Sequence, residues 1–222
     1  MAGNQGEIKG YFVGPKAFTE KDQNGKYRLV LAIPKPNSGR PDVMDFVGSL
    51  NVIDNCVKSA MEYVQMPKPK GKGVPSAWLT RCKPLYFKDG DAPPDHGQED
   101  KVNDFTKGCY IFFLQANVMR KVEVEGRIIE VADPIPVTKS FGEPDPITGA
   151  KQLMSICPED LFYGDKLLVS FAATVNSKYG KPEELNVQGY ANAVRVIKHS
   201  EFDYKRQQME KLAAYVPADG EY

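Results

Sequence analysis

Histidine is nearly absent from this chain: His96 and His199 are the only two among 222 residues. General acid–base chemistry near neutral pH therefore has few candidate groups. Cysteine is sparse and scattered, at Cys56, Cys82, Cys109 and Cys157. No Cys or His pair stands close enough to read as a zinc site with His96 or His199, and the cysteines read as buried free thiols. No apolar run approaches a membrane span, and the opening Met-Ala-Gly-Asn-Gln-Gly lacks a basic-then-apolar signal pattern. Both absences predict a soluble, cytoplasmic protein. Walker-type glycine loops, Gly-x-Ser-x-Gly and His-Glu-x-x-His are all missing. Net charge is missing too, 29 basic residues balancing 29 acidic ones. Taken alone, that balance argues against nucleic acid as a partner, because phosphate contacts need a basic footprint.

What is present is a core-forming composition, 41% hydrophobic, enough for one domain with embellishments. The charges are segregated rather than mixed. Lys68, Lys70 and Lys72 share a Pro/Gly-rich loop with no acid nearby, while Asp89, Asp91, Asp95, Glu99, Asp100 and Asp104 crowd another segment. A local basic face is therefore compatible with a neutral sum.

Hydrophobic patterning places the elements. Glu7 to Phe18 reads as a first strand, bent at Pro15. After the polar turn 19–25, Lys26 to Pro34 reads as a second strand with Tyr27, Leu29, Leu31 and Ile33 on one face. From about residue 42 to 66 the apolar residues keep helical spacing, with Asp42 as the predicted N-cap and Asp45 in the first turn. Gly108 to Met119 is a strand whose Tyr110/Phe112 and Ile111/Phe113 faces are both apolar, so the pattern leaves open which one is core. A small hairpin at 122–124 and 128–131 turns at Glu125-Gly126-Arg127, and 134–155 reads as loop-rich. Asp165 to Asn176 and Leu185 to Ile197 form a last pair of strands around the basic tip Lys178-Tyr-Gly-Lys181. In the second of these, Asn186, Gln188, Tyr190 and Asn192 share one face, and Val187, Ala191, Ala193 and Ile197 the other. A capping-box-like spacing of Ser200 and Asp203 predicts a C-terminal helix.

Five or more antiparallel strands with one long internal helix predict a small closed barrel, of which the OB-fold is an example. The residues that carry this pattern also resemble a known family, the phage replication single-stranded-DNA-binding proteins built on one OB-fold. Gly25 to Pro36 resembles its second strand, ending in Ile-Pro and followed by a long helix. Lys83-Pro-Leu-Tyr-Phe-Lys-Asp-Gly-Asp91 resembles its Asp-Gly-Asp loop, and Lys107-Gly-Cys-Tyr-Ile-Phe its third strand. Leu161 to Ser177 and Val187 to Ile197 resemble its last two strands. The resemblance implies a mainly β chain. One five-stranded OB-fold domain over 1–198 carries a long helix after the second strand, and a C-terminal helix and short tail occupy 199–222. It implies sequence-independent binding and protection of single-stranded DNA during phage DNA replication and recombination in the cytoplasm of the infected cell, without catalysis or cofactor. It also implies partners among replication proteins reached through an acidic tail with a terminal aromatic. This tail ends in Tyr222 but carries only Asp219 and Glu221 as acids in its last seven residues. Either a monomer or a homodimer fits.

Tyr190, on a face otherwise made of amides, is the first candidate for stacking on a nucleobase; the competing reading is an exterior tyrosine packed under an insertion. Tyr179, with Lys178 and Lys181 at the hairpin tip, is a second clamp, or an ordinary turn. Lys26 and Arg28 are placed for phosphates, Arg28 lying opposite the apolar face of its strand. Arg195 reads equally as a DNA contact and as a structural ion-pair residue, and Lys68, Lys70 and Lys72 as a basic arm or a solvated linker. Asp89, Asp91 and Asp95 leave open a metal-dependent DNA-processing enzyme, although a turn accounts for the same residues. A protein–protein adaptor, with helices as its interface, is the remaining alternative.

Overall fold

The computed structural model describes residues 4–13, 21, 25–65, 106–178 and 181–200, with backbone only at 62–65, 176–178 and 181–185. Nine strands and one α-helix are described: β1 (Gln5–Phe12), β2 (Arg28–Pro34), α1 (Val47–Gln65), β3 (Cys109–Gln115), β4 (Asn117–Val124), β5 (Arg127–Pro134), β6 (Val137–Phe141), β7 (Gln152–Ile156), β8 (Lys166–Lys178) and β9 (Lys181–Lys198).

The sheet runs β3-β2-β1-β8-β9-β6-β7, and β3 also pairs with β9. That extra pairing, parallel and registered at Gln115 with Tyr190, curls five strands into a closed barrel of order β1-β2-β3-β9-β8. It is an OB-fold. The meander β1–β2–β3, the parallel closure and the long final hairpin supply its defining order. Strands β6 and β7 continue the sheet outward from β9.

Strand alternation builds the core. Leu29, Leu31 and Ile33 of β2 are fully buried, as their shared face predicts, and so are Phe112 and Leu114 of β3, Leu167, Val169, Phe171 and Ala173 of β8, and Ile8 of β1. The open question in β3 resolves in an instructive way. Phe112 and Leu114 face the barrel interior, while Cys109 and Ile111 join Val13, Val30 and Ala32 in a smaller cluster on the outside, with Phe113 at its margin. The amphipathic face of α1 completes the interior with Leu50, Ile53, Cys56 and Ala60, and Phe46 just ahead of the helix joins them. The helix lies against β1 at Gly6, where a Cβ would stand 2.5 Å from Val52 Cγ1. Only a residue without a side chain permits that approach.

Several sequence expectations are corrected. Asp42 does not cap α1. It precedes a 3-10 turn, Val43–Asp45, with no side-chain cap bond, and its carboxylate is held instead by Arg40 and the Tyr11 hydroxyl. The third strand stops at Gln115, because the chain breaks at Ala116 before β4. The small hairpin is a ribbon twice as long, β4 paired with β5 from Asn117↔Pro134 to Val124↔Arg127. Its two-residue turn has positive φ at Glu125 (50°) and Gly126 (75°), the geometry that matches strand twist. The segment 134–155 has loops at 135–136 and 142–151 as expected, but it also contains β6 and the start of β7, short strands whose tie to the sheet runs through the pairing of β6 with distant β9. Cys157 is exposed rather than buried. In β9, Ala193 and Ile197 point outward, while Val194 and Val196 are core. A register shift causes this: Phe171 pairs with Ala191 but Ser170 with Ala193, so Asn192 is an extra residue that inverts the alternation. The C-terminal helix, and most of the first strand's expected continuation through Pro15 to Phe18, lie outside the described residues.

Candidate nucleic-acid interface

A row of cross-strand neighbours runs around the barrel where it closes. Arg28 opens β2 and pairs with Gln115 at the end of β3; Gln115 pairs with Tyr190 of β9; Tyr190 pairs with Ala172 of β8. Paired residues point to the same face, and this row points away from the core. Gln188, two residues before Tyr190, shares its face. Lys26, Arg28, Phe113, Gln115, Gln188 and Gly189 line a groove of ≈ 250 Å³ there. Tyr190 stands beside it.

The polar side chains in the groove are ordered by one another. The Tyr190 hydroxyl donates to Gln188 Oε1 (2.9 Å), and Gln188 Nε2 donates to Gln115 Oε1 (2.6 Å). Lys26 Nζ also donates to that oxygen, at 3.5 Å. Both glutamine carbonyls are thus used within the network. The lining carries two cations and no acid, together with glutamine amides and the Phe113 side chain. Such a surface favours ligands rich in acceptors and negative charge that also have a flat face. Below the groove, Thr174 pairs with Gln188, and its hydroxyl is buried without a hydrogen-bond partner among the described residues. A buried orphan of this kind costs on the order of 1–3 kcal/mol, a cost typically tolerated where a water or ligand reaches it.

Of the residues singled out from sequence, Lys26, Arg28 and Tyr190 are brought together here. Arg195 is not: it lies farther along β9, paired with Leu168 and Thr138, beyond the register shift. Lys178 and Lys181 pair at the tip of the β8–β9 hairpin. Tyr179, Lys68, Lys70 and Lys72 lie outside the described residues, as do Asp89, Asp91 and Asp95. Among the described residues, no three of His, Cys, Asp and Glu gather as metal ligands. No helix among them is long and apolar enough to cross a membrane. Sequence reasoning missed Phe113 and Gln115. Phe113 was hidden because both faces of its strand are apolar, and only the burial of Phe112 and Leu114 shows that it faces outward. Nothing local marks Gln115, whose role depends on a strand 75 residues away.

A second polar cluster lies away from the groove. Asp42 accepts from Arg40 Nε (2.9 Å) and Nη2 (2.8 Å) and from the Tyr11 hydroxyl (2.6 Å). The Arg40 guanidinium holds the Asp42 carboxyl down at about 2. Burial, then the bond to Asp42, raises the Tyr11 phenol. Burial also pushes the Cys109 thiol up to about 11, which leaves it an inert packing residue. This cluster seats the 3-10 turn before α1 on β1, a structural task.

Three solved structures are similar to this chain. They are the single-stranded DNA-binding protein from bacteriophage Enc34 with a C-terminal truncation (12% identity, TM-score 0.44, covering 90% of this chain and 94% of that one), the same protein without that truncation (11%, 0.44, 90% and 88%), and the same protein in complex with ssDNA (14%, 0.43, 90% and 94%). No family model and no curated protein matches the chain.

Proposed function

We propose that the chain binds single-stranded DNA without sequence preference, along the outward face of β2, β3 and β9. The observation that carries this reading is the convergence of Lys26, Arg28, Gln115 and Gln188 with Phe113 and Tyr190 at the barrel closure. Cations take phosphates, and rings take bases of any identity. The neutral net charge directs the affinity to this local groove and its stacking rather than to bulk charge. The same proposal includes Lys178, Tyr179, Lys181, Lys68, Lys70, Lys72 and Arg195 as further DNA contacts. On the resemblance noted in the sequence, we further propose a role in phage DNA replication and recombination in the host cytoplasm, as a non-enzymatic protein without cofactor whose tail meets replication partners.

Titration of oligo-dT and a mixed-sequence strand at rising salt tests the reading. Comparable affinity for both, falling linearly on a log–log plot, is the expected result. Absence of binding at low salt would sink it. Cleavage of the strand in Mg²⁺ would instead favour the enzyme reading.

A further inference from the structure

The ribbon β4–β5 stands apart from the seven-stranded sheet as a two-stranded sheet of its own. Its register sorts its side chains onto two faces. One carries Met119, Lys121, Glu123, Ile128, Glu130 and Ala132, a mixed surface with Lys121 directly opposite Glu130. The other carries Val118, Val122, Val124, Ile129 and Val131, with Arg120 and Asp133 near the base and Arg127 at the tip. Val118, Val124 and Ile129 are exposed, Ile129 to 45%. Five β-branched residues on one face of the ribbon form an apolar stripe, exposed at Val118, Val124 and Ile129 and half-buried at Val122 and Val131.

We propose that this stripe is a self-association surface, occupied by the same ribbon of a second copy of this chain. The placement of charge selects that occupant. From base to tip the rows are Val118 with Asp133, Arg120 with Val131, Val122 with Ile129, and Val124 with Arg127. When two such faces stack antiparallel about a two-fold axis, the first row of one meets the fourth of the other. Asp133 then faces Arg127 of the other copy twice over, and the two middle rows bring Val131 over Ile129 and Arg120 over Val122. Arg120 pairs with Asp133 of its own ribbon at 2.7 Å, so its charge enters the contact already neutralised. Parallel stacking about a two-fold axis would lay β4 over β5 and set Asp133 over Val118 and Arg127 over Val124 of the other copy, with no opposite-charge contact, so the charges also choose the orientation.

The area decides the strength. Eight residues at about 3.3 Å each make a ribbon about 26 Å long, and a face of one ribbon covers about 250–300 Å². Two copies bury about 500–600 Å², well below the roughly 1,200 Å² of stable complexes. The association is therefore weak and concentration-dependent.

Sedimentation velocity of the full chain over a rising concentration series, up to on the order of 1 mM, provides the test. The wild type is expected to shift from monomer toward dimer with rising concentration. Arg127→Asp abolishes the shift by facing Asp with Asp, and so does Ile129→Asp, which leaves the Arg120–Asp133 pair untouched. A one-to-one mixture of Arg127→Asp with Asp133→Arg restores it, because both crossed contacts become opposite in sign. A wild type that stays monomeric throughout overturns the proposal, as do variants that associate like the wild type. Self-association needs no DNA, so failure here and failure of DNA binding are separate results.

Discussion

At the scale of single residues, the candidate site was half legible. Arg28 and Lys26 could be read from alternation, because Leu29, Leu31 and Ile33 define the buried face of their strand. Tyr190 was readable for the same reason. Gln115 was not, since its importance arises only where β3 meets β9. Tyr190→Ala is expected to weaken binding of oligo-dT by about 1–3 kcal/mol, the worth of one stacked base. Arg28→Ala is expected to weaken all sequences alike and to flatten the salt slope by about 1, as loss of one phosphate contact does. Both are read from the same salt titration. Asp42 gives a prediction of another kind. Its carboxyl sits at about 2 in the folded chain against an ordinary value of 3.8, so its bonds to Arg40 and Tyr11 stabilise the fold above pH 4. That contribution is lost as pH falls from about 4 to 2. Asp42→Asn is expected to cost on the order of 1–2 kcal/mol at pH 7, with the difference from wild type much reduced at pH 2; urea unfolding at both pH values measures it.

At the scale of elements, long and strongly patterned segments were readable and short, distantly paired ones were not. The helix after the second strand followed from its spacing, although its start was misplaced because Asp42 is committed to Arg40 rather than to a cap. The strands β6 and β7 escaped notice, since most of their side chains are exposed and β9, which joins β6 to the sheet, is remote in sequence. The extra residue at Asn192 is invisible to a period-two reading, yet it decides that Val194 and Val196 pack inside while Ala193 does not. The contact between α1 and β1 also rests on one residue. Gly6→Val would drive a branched side chain into Val52 and is expected to cost about 1–3 kcal/mol, read as a lowered midpoint of thermal unfolding.

At the scale of the whole molecule, the barrel itself was foreseen from the number and order of strands, and its manner of closing was not. Opposite the continuous antiparallel hairpins, the cylinder is joined along one line where β3 and β9 share a single registered pair, Gln115 with Tyr190. The groove lies over that line. A single strand of DNA bound there is expected to raise the unfolding temperature in proportion to the logarithm of its concentration, since it binds the folded chain alone. Differential scanning fluorimetry with oligo-dT checks this.

The lone registered pair at that join has a mechanical consequence. A cylinder fastened at one button opens first at the button, and whatever lies across the opening carries the load that the sheet does not. A ligand spanning β2, β3 and β9 would act as a brace on the weakest hoop of the barrel, so occupancy and rigidity become one property. Amide hydrogens flanking Gln115 and Tyr190 would then record the presence of a bound strand more sensitively than any in the well-laced β8–β9 hairpin.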